Sequence, residues 1–178
     1  MKTLTLMRHA KSGWDDPTLR DFDRTLNAKG RRAAATVGRY LRAEGIGFDH
    51  LVASPAVRVR ETLDAAGHAY GARPIPCWDE RLYLAPVPVL LEVIHALPAE
   101  ASRVLLVGHN PGLEDLVLAL VPEGEGLWAE AARKYPTATV AEMTFDVADW
   151  GAVTPGAATL TRFIRPRDLD PALGPDEE

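Results

Sequence analysis

Apolar runs alternate with amphipathic stretches along this chain. Thr3–Met7 is a short, β-rich apolar run that reads as a buried first strand. Lys11–Arg24 is polar and turn-rich, with Gly13, Asp15, Asp16 and Pro17, and reads as a loop over the sheet edge. Asn27 can cap a helix running to about Glu44 and stopping at Gly45, with Ala33, Val37, Tyr40 and Leu41 on one face. His50–Ala53 is a second short strand. Ser54 then reads as an N-cap and Pro55 as the first residue of a helix ending near Tyr70, before Gly71. Pro74–Trp78 is a candidate third strand. Val87, Leu90, Leu91 and Ile94 keep the spacing of a buried helical face, closed by Pro98.

The least ambiguous strand is Arg103–Val107, whose Val-Leu-Leu-Val run predicts burial on both faces. A helix capped by Asn110 and opened by Pro111 follows, with Leu113, Leu116, Val117 and Leu120 inward. Thr137–Phe145 and Thr159–Ile164 read as later strands in a hairpin or edge pairing. This order predicts an α/β fold: a three-layer α/β/α sandwich on a mixed, mostly parallel sheet. One domain is expected over 1–164. A flexible acidic tail is expected over 165–178, where three prolines and a run of acidic residues fall.

Composition narrows the field. At 178 residues, 47% hydrophobic and 25% charged, the chain has the make-up of an ordinary soluble globular domain. A net charge of −5 argues against a general nucleic-acid binder. One cysteine, Cys77, excludes an internal disulfide and fits a cytoplasmic protein. No apolar stretch approaches the roughly 20 residues that span a bilayer, so no membrane partner is expected. A monomer is the expected state. His50, His68, His95 and Cys77 lack ligand spacing, so no metal is expected. The absence of glycine-rich nucleotide motifs leaves no cofactor expected either.

Unusual chemistry gathers at three strand–helix junctions. Arg8-His9 closes the first strand, pairing an anion clamp with an imidazole that can act as nucleophile or base. At the second, Arg58 falls near the first turn of the helix after Ser54-Pro55. A cation there opposes the helix dipole unless an anion binds nearby. Its other reading is a surface pair with Glu61 at i, i+3. At the third, His109 follows the buried strand, where it either serves a site or bonds a loop carbonyl. In a parallel sheet these junctions share one edge and can converge in a single crevice.

Together, Arg8-His9-Ala10, Ser54-Pro-Ala-Val-Arg58 and Gly108-His109 resemble the histidine phosphatase superfamily, whose fold is shared with phosphoglycerate mutases. Arg8-His-Ala-Lys-Ser-Gly-Trp-Asp-Asp-Pro17 and Asp21-Phe-Asp-Arg-Thr-Leu-Asn-Ala-Lys-Gly30 most resemble its SixA-type phosphohistidine phosphatases. The resemblance implies that His9 is the phosphate-accepting nucleophile and that Arg8, Arg58 and His109 surround the phosphoryl oxygens. Glu80-Arg-Leu-Tyr83 resembles the family's acid-bearing stretch, which makes Glu80 a candidate proton donor. The Arg-x-Leu wording marks Arg24 as a substrate contact. Lys11 and Ser12, in the same loop, are candidates for contacting the phosphate or a protein substrate.

The implied reaction is phosphoryl transfer to His9 and then hydrolysis, without metal, by a phosphoric-monoester or phosphohistidine hydrolase. Phosphohistidine on a signalling or phosphotransfer protein is the expected substrate. A phosphatase of small phosphomonoesters and a non-catalytic phospho-ligand binder remain as alternatives.

Overall fold

The computed structural model describes residues 1–175 of the chain. Six strands form one sheet: β1 (Lys2–Arg8), β2 (His50–Ala53), β3 (Cys77–Trp78), β4 (Arg103–Gly108), β5 (Val140–Phe145) and β6 (Ala158–Ile164). Their order across the sheet is β3-β2-β4-β1-β5-β6. β1, β4, β2 and β3 pair in parallel; β5 runs against both β1 and β6. The sheet is therefore mixed and mostly parallel, as the element order implied.

Both faces of the central strands are covered, which explains their unbroken apolar runs. Leu4 and Leu6 of β1 join one core with Val104 and Leu106. Helices α3 (Val87–His95), α4 (Gly112–Leu120) and α5 (Trp128–Arg133) cover that face. Met7, Leu105 and Val107 point into the other core, beneath α1 (Ala28–Ala43) and α2 (Val57–Tyr70). Asn27 caps α1 as expected, its side chain accepting from Gly30 N–H. Two glycines set how closely the α1 layer packs. A Cβ on Gly30 would lie 2.1 Å from the Lys11 carbonyl oxygen, and one on Gly38 2.3 Å from that of Ala66 in α2. The first contact seats α1 directly on the chain leaving His9.

Some boundaries move from their expected places. α2 starts at Val57 rather than Pro55, with Ala56 as the non-helical residue before it; the Ser54 hydroxyl accepts from Ala56 N–H at 3.3 Å and faces His109 Nε2 at 2.8 Å. α4 starts at Gly112, beyond the cis Asn110–Pro111 peptide, although Asn110 Oδ1 still accepts from Glu114 N–H. The third strand shrinks to Cys77–Trp78 at the sheet edge.

The expected free tail is a larger departure. Residues 166–169 form a short helix, α6, followed by a turn over 171–173. Leu169 and Leu173 pack against the core beneath α1. Burial of those two leucines holds 165–175 to the domain. The last three residues of the predicted tail lie outside the described ones. Among the described residues, no helix is long and apolar enough to cross a membrane.

Candidate active site

The ends of β1, β4 and β2 lie side by side, with Arg8 opposite Gly108 and Val107 opposite Ala53. This register brings His9, His109 and Ser54 to one edge. α2 rises from the same edge and places Arg58 in its first turn, 2% exposed. The His9 and His109 rings are 5.3 Å apart between centroids. Between them lies the Arg58 guanidinium, with Nε 3.4 Å from His9 Nε2 and Nη2 3.3 Å from His109 Nδ1.

These contacts fix both tautomers. His9 Nδ1 is 2.7 Å from the Ala10 carbonyl oxygen, an acceptor only, so Nδ1 carries the proton. The Nε2 lone pair is left facing Arg58. His109 is protonated at the other nitrogen. Its Nδ1 faces a guanidinium, which can only donate, so Nε2–H donates to the Ser54 hydroxyl. Burial lowers both imidazoles to about 3; the charges of Arg58 and Arg8 push in the same direction. Both rings are therefore neutral at pH 7.

The surroundings hold this cluster in place. Thr62 Oγ1 donates to the Arg58 carbonyl at 2.6 Å and accepts from Ala10 N–H at 2.9 Å. One buried hydroxyl thus ties α2 to the residue after His9. Arg58 Nη2 pairs with Asp21 Oδ2 at 3.0 Å, and Nη1 donates to the Asp21 carbonyl at 2.7 Å. The alternative pairing with Glu61 is not adopted, since Glu61 Oε1 accepts instead from Leu26 N–H at 2.8 Å.

Tyr83 OH donates to the same Asp21 carboxylate, and its ring meets His109 edge-on at 5.3 Å. Burial alone would raise the Asp21 carboxyl, but the Tyr83 hydrogen bond and Arg58 outweigh it and hold it at about 2. Asp21 and Tyr83 were not singled out from the sequence, although both lie inside the motifs quoted for other residues.

The other predicted residues take different places. Arg8 Nη1 donates to the Tyr135 carbonyl at 2.9 Å, beside the imidazoles on which its charge acts. Arg24, 8% exposed, pairs with Asp21 Oδ1 at 3.1 Å, donates to the Ser12 hydroxyl and stacks 3.7 Å over Trp14. Ser12 and Arg24 thus stand one step out from the imidazoles. Lys11 lines a cleft that it shares with Arg8. Glu80 is exposed and outside the hydrogen-bonded cluster, while its neighbour Arg81 pairs with Asp79 at 2.7 Å.

Comparison with known proteins shows the family. Residues 4–82, which carry Arg8, His9 and Arg58, match the model of the histidine phosphatase superfamily (branch 1). An uncharacterized protein of Mycobacterium tuberculosis, Rv1276c, is 36% identical over 164 residues, covering 90% of this chain and all of its own. The chain belongs to the histidine phosphatase superfamily. It is a phosphatase, and its SixA-type branch is shown by solved structures. One, from Nakamurella multipartitia and assigned as a phosphohistidine phosphatase SixA, superposes with a TM-score of 0.80. The two are 33% identical over 93% of this chain and 96% of the other. A protein histidine phosphatase SixA complexed with tungstate shares the fold at a TM-score of 0.78. That pair is 22% identical, covering 94% of this phosphatase and 99% of the other chain.

Proposed function

We propose that this phosphatase removes phosphate from phosphohistidine carried on a protein, with His9 as the transient phosphate carrier. The observation that carries the reading is the His9 hydrogen bond to the Ala10 carbonyl, which leaves a neutral Nε2 lone pair beside a buried guanidinium. In the first step Nε2 attacks phosphorus in line. A P–N bond forms to His9 as the P–N bond to the substrate imidazole breaks, and the departing nitrogen takes a proton from water. In the second step water attacks phosphorus and gives a proton to the hydroxide left by the first, the P–Nε2 bond breaks, and inorganic phosphate leaves.

Negative charge on the equatorial oxygens calls for fixed donors, which Arg58 and Arg8 supply without a metal ion. His109 supplies another once the incoming dianion raises its basicity and Nδ1 takes up a proton. Arg58 must then exchange part of its bonding from Asp21 to phosphate oxygen.

Three further observations support a phosphohistidine substrate. Solved relatives are described as phosphohistidine phosphatases. Trp14, stacked on Arg24, and Leu84, next to Tyr83, are 72% and 53% exposed, giving an apolar rim suited to a protein surface. An exposed Glu80 also fits a substrate whose imidazole leaves without strong acid help, whereas an alkoxide needs a proton donor.

Turnover of a phosphohistidine peptide and of small phosphomonoesters, in wild type and Glu80→Gln, tests the assignment. The peptide should be hydrolysed at least about 100-fold faster per kcat/KM, with its rate changed less than twofold by Glu80→Gln. Faster hydrolysis of a small ester would move the assignment to that substrate class.

A further inference from the structure

Inorganic phosphate is a product of this phosphatase, and the donors that bind a phosphoryl group also bind free phosphate. A site made only of cations and neutral imidazoles would be slow to empty. This one carries a carboxylate of its own. Asp21 Oδ2 accepts from Arg58 Nη2 at 3.0 Å, and Oδ1 accepts from Arg24 Nε at 3.1 Å. Tyr83 OH also donates to Oδ2. One side chain thus engages two guanidiniums of the site, and the Arg58 nitrogen it takes is the one 3.3 Å from His109 Nδ1.

The two arginines and the carboxylate are not equally fixed. The Arg58 and Arg24 side chains are 2% and 10% exposed, the Asp21 side chain 39%. The main chain of the turn Asp21–Asp23 has anchors of its own. Arg58 Nη1 donates to the Asp21 carbonyl at 2.7 Å, and the Phe22 ring meets Tyr83 edge-on at 5.2 Å. The carboxylate can therefore turn toward water by rotation of its side chain while the turn and both guanidiniums keep their places. A phosphate dianion arriving beside Arg58 either takes donors from this carboxylate or stands next to like charge. Each weakens its hold.

We propose that Asp21 is a displaceable counter-ion that competes with phosphate for Arg58 and Arg24 and so hastens release of the product. Tight binding of product adds nothing to the rate; only interactions gained in the transition state do. Between turnovers the same carboxylate keeps a buried guanidinium paired, which would be costly to leave without a counter-ion. The inference rests on the reading that phosphate is held beside His9 and Arg58, and adds to it how the site is emptied.

Isothermal titration of the full chain with inorganic phosphate at pH 7 tests this role. Asp21→Asn should bind phosphate at least tenfold more tightly than wild type, and product inhibition in steady-state assays should strengthen by the same factor. A role confined to orienting the arginines predicts the reverse, because disordered guanidiniums would hold phosphate less well. Asp23→Asn removes the same charge from the same turn, where it pairs with exposed Arg20, and should change the affinity less than twofold. Asp21→Ser, uncharged and smaller, gives the same reading should Asp21→Asn lower Tm. The proposal is overturned if the Asp21 variants bind phosphate no more tightly than wild type, or if Asp23→Asn tightens binding equally. A small ester hydrolysed faster than the phosphohistidine peptide would move the substrate assignment and leave these affinities standing, so the two readings fail separately.

Discussion

Acidification from pH 7 to 5.5 should weaken this fold through His9 and His109. Both imidazoles are buried and held at about 3, against an ordinary value of 6.5 in the unfolded chain. Below pH 6.5 the unfolded chain therefore binds protons that the folded chain refuses, so stability is fully present above 6.5 and falls with pH. Between pH 7 and 5.5 each histidine removes on the order of 1 kcal/mol, roughly 2–3 kcal/mol for the pair. Asp21, held at about 2, titrates below this window and leaves it clean. Urea unfolding at the two pH values, in buffers free of phosphate, measures the loss in wild type and in His9→Gln/His109→Gln. The wild-type loss should exceed that of the double variant by roughly 2–3 kcal/mol. Equal losses would refute the placing of both rings as buried neutral bases.

Arg58→Lys keeps the charge but loses the fork that spans His9, His109 and Asp21, so kcat/KM should fall roughly 100- to 1,000-fold in steady-state assays. Thr62→Val removes the hydroxyl shared by Ala10 and Arg58. It should cost about 2 kcal/mol, a drop in Tm of roughly 4–8 °C by differential scanning calorimetry. An unchanged Tm would show that this buried hydroxyl does not hold the two segments together.

The parts of the fold most legible in the sequence were those with both faces buried. β1 and β4 read as strands because they carry apolar side chains to two cores at once, and His9 and His109 were found where those runs end. Local rules failed where a distant partner competed. Ser54 is a good cap in isolation, but its hydroxyl is shared between Ala56 N–H and the His109 ring, and α2 begins later. Arg58 had a plausible neighbour in Glu61, yet loop folding brought Asp21 to it. Asp21 gave no periodic signal, lying in a polar loop whose conformation depends on Arg24, Arg58 and Tyr83 together. The packing of 166–173 gave no signal in the sequence, because the composition there is that of a solvated segment. Leu169 and Leu173, which pin it to the core beneath α1, are too sparse to make a pattern.

The phosphate carrier itself is the most direct test. Mixing the phosphatase with excess phosphohistidine peptide, quenching in alkali within milliseconds and mapping the digest by mass spectrometry should find phosphate on His9 Nε2 alone. It should be absent from His9→Ala, which should also have lost turnover. Phosphate on His109, or sustained turnover by His9→Ala, would contradict the account.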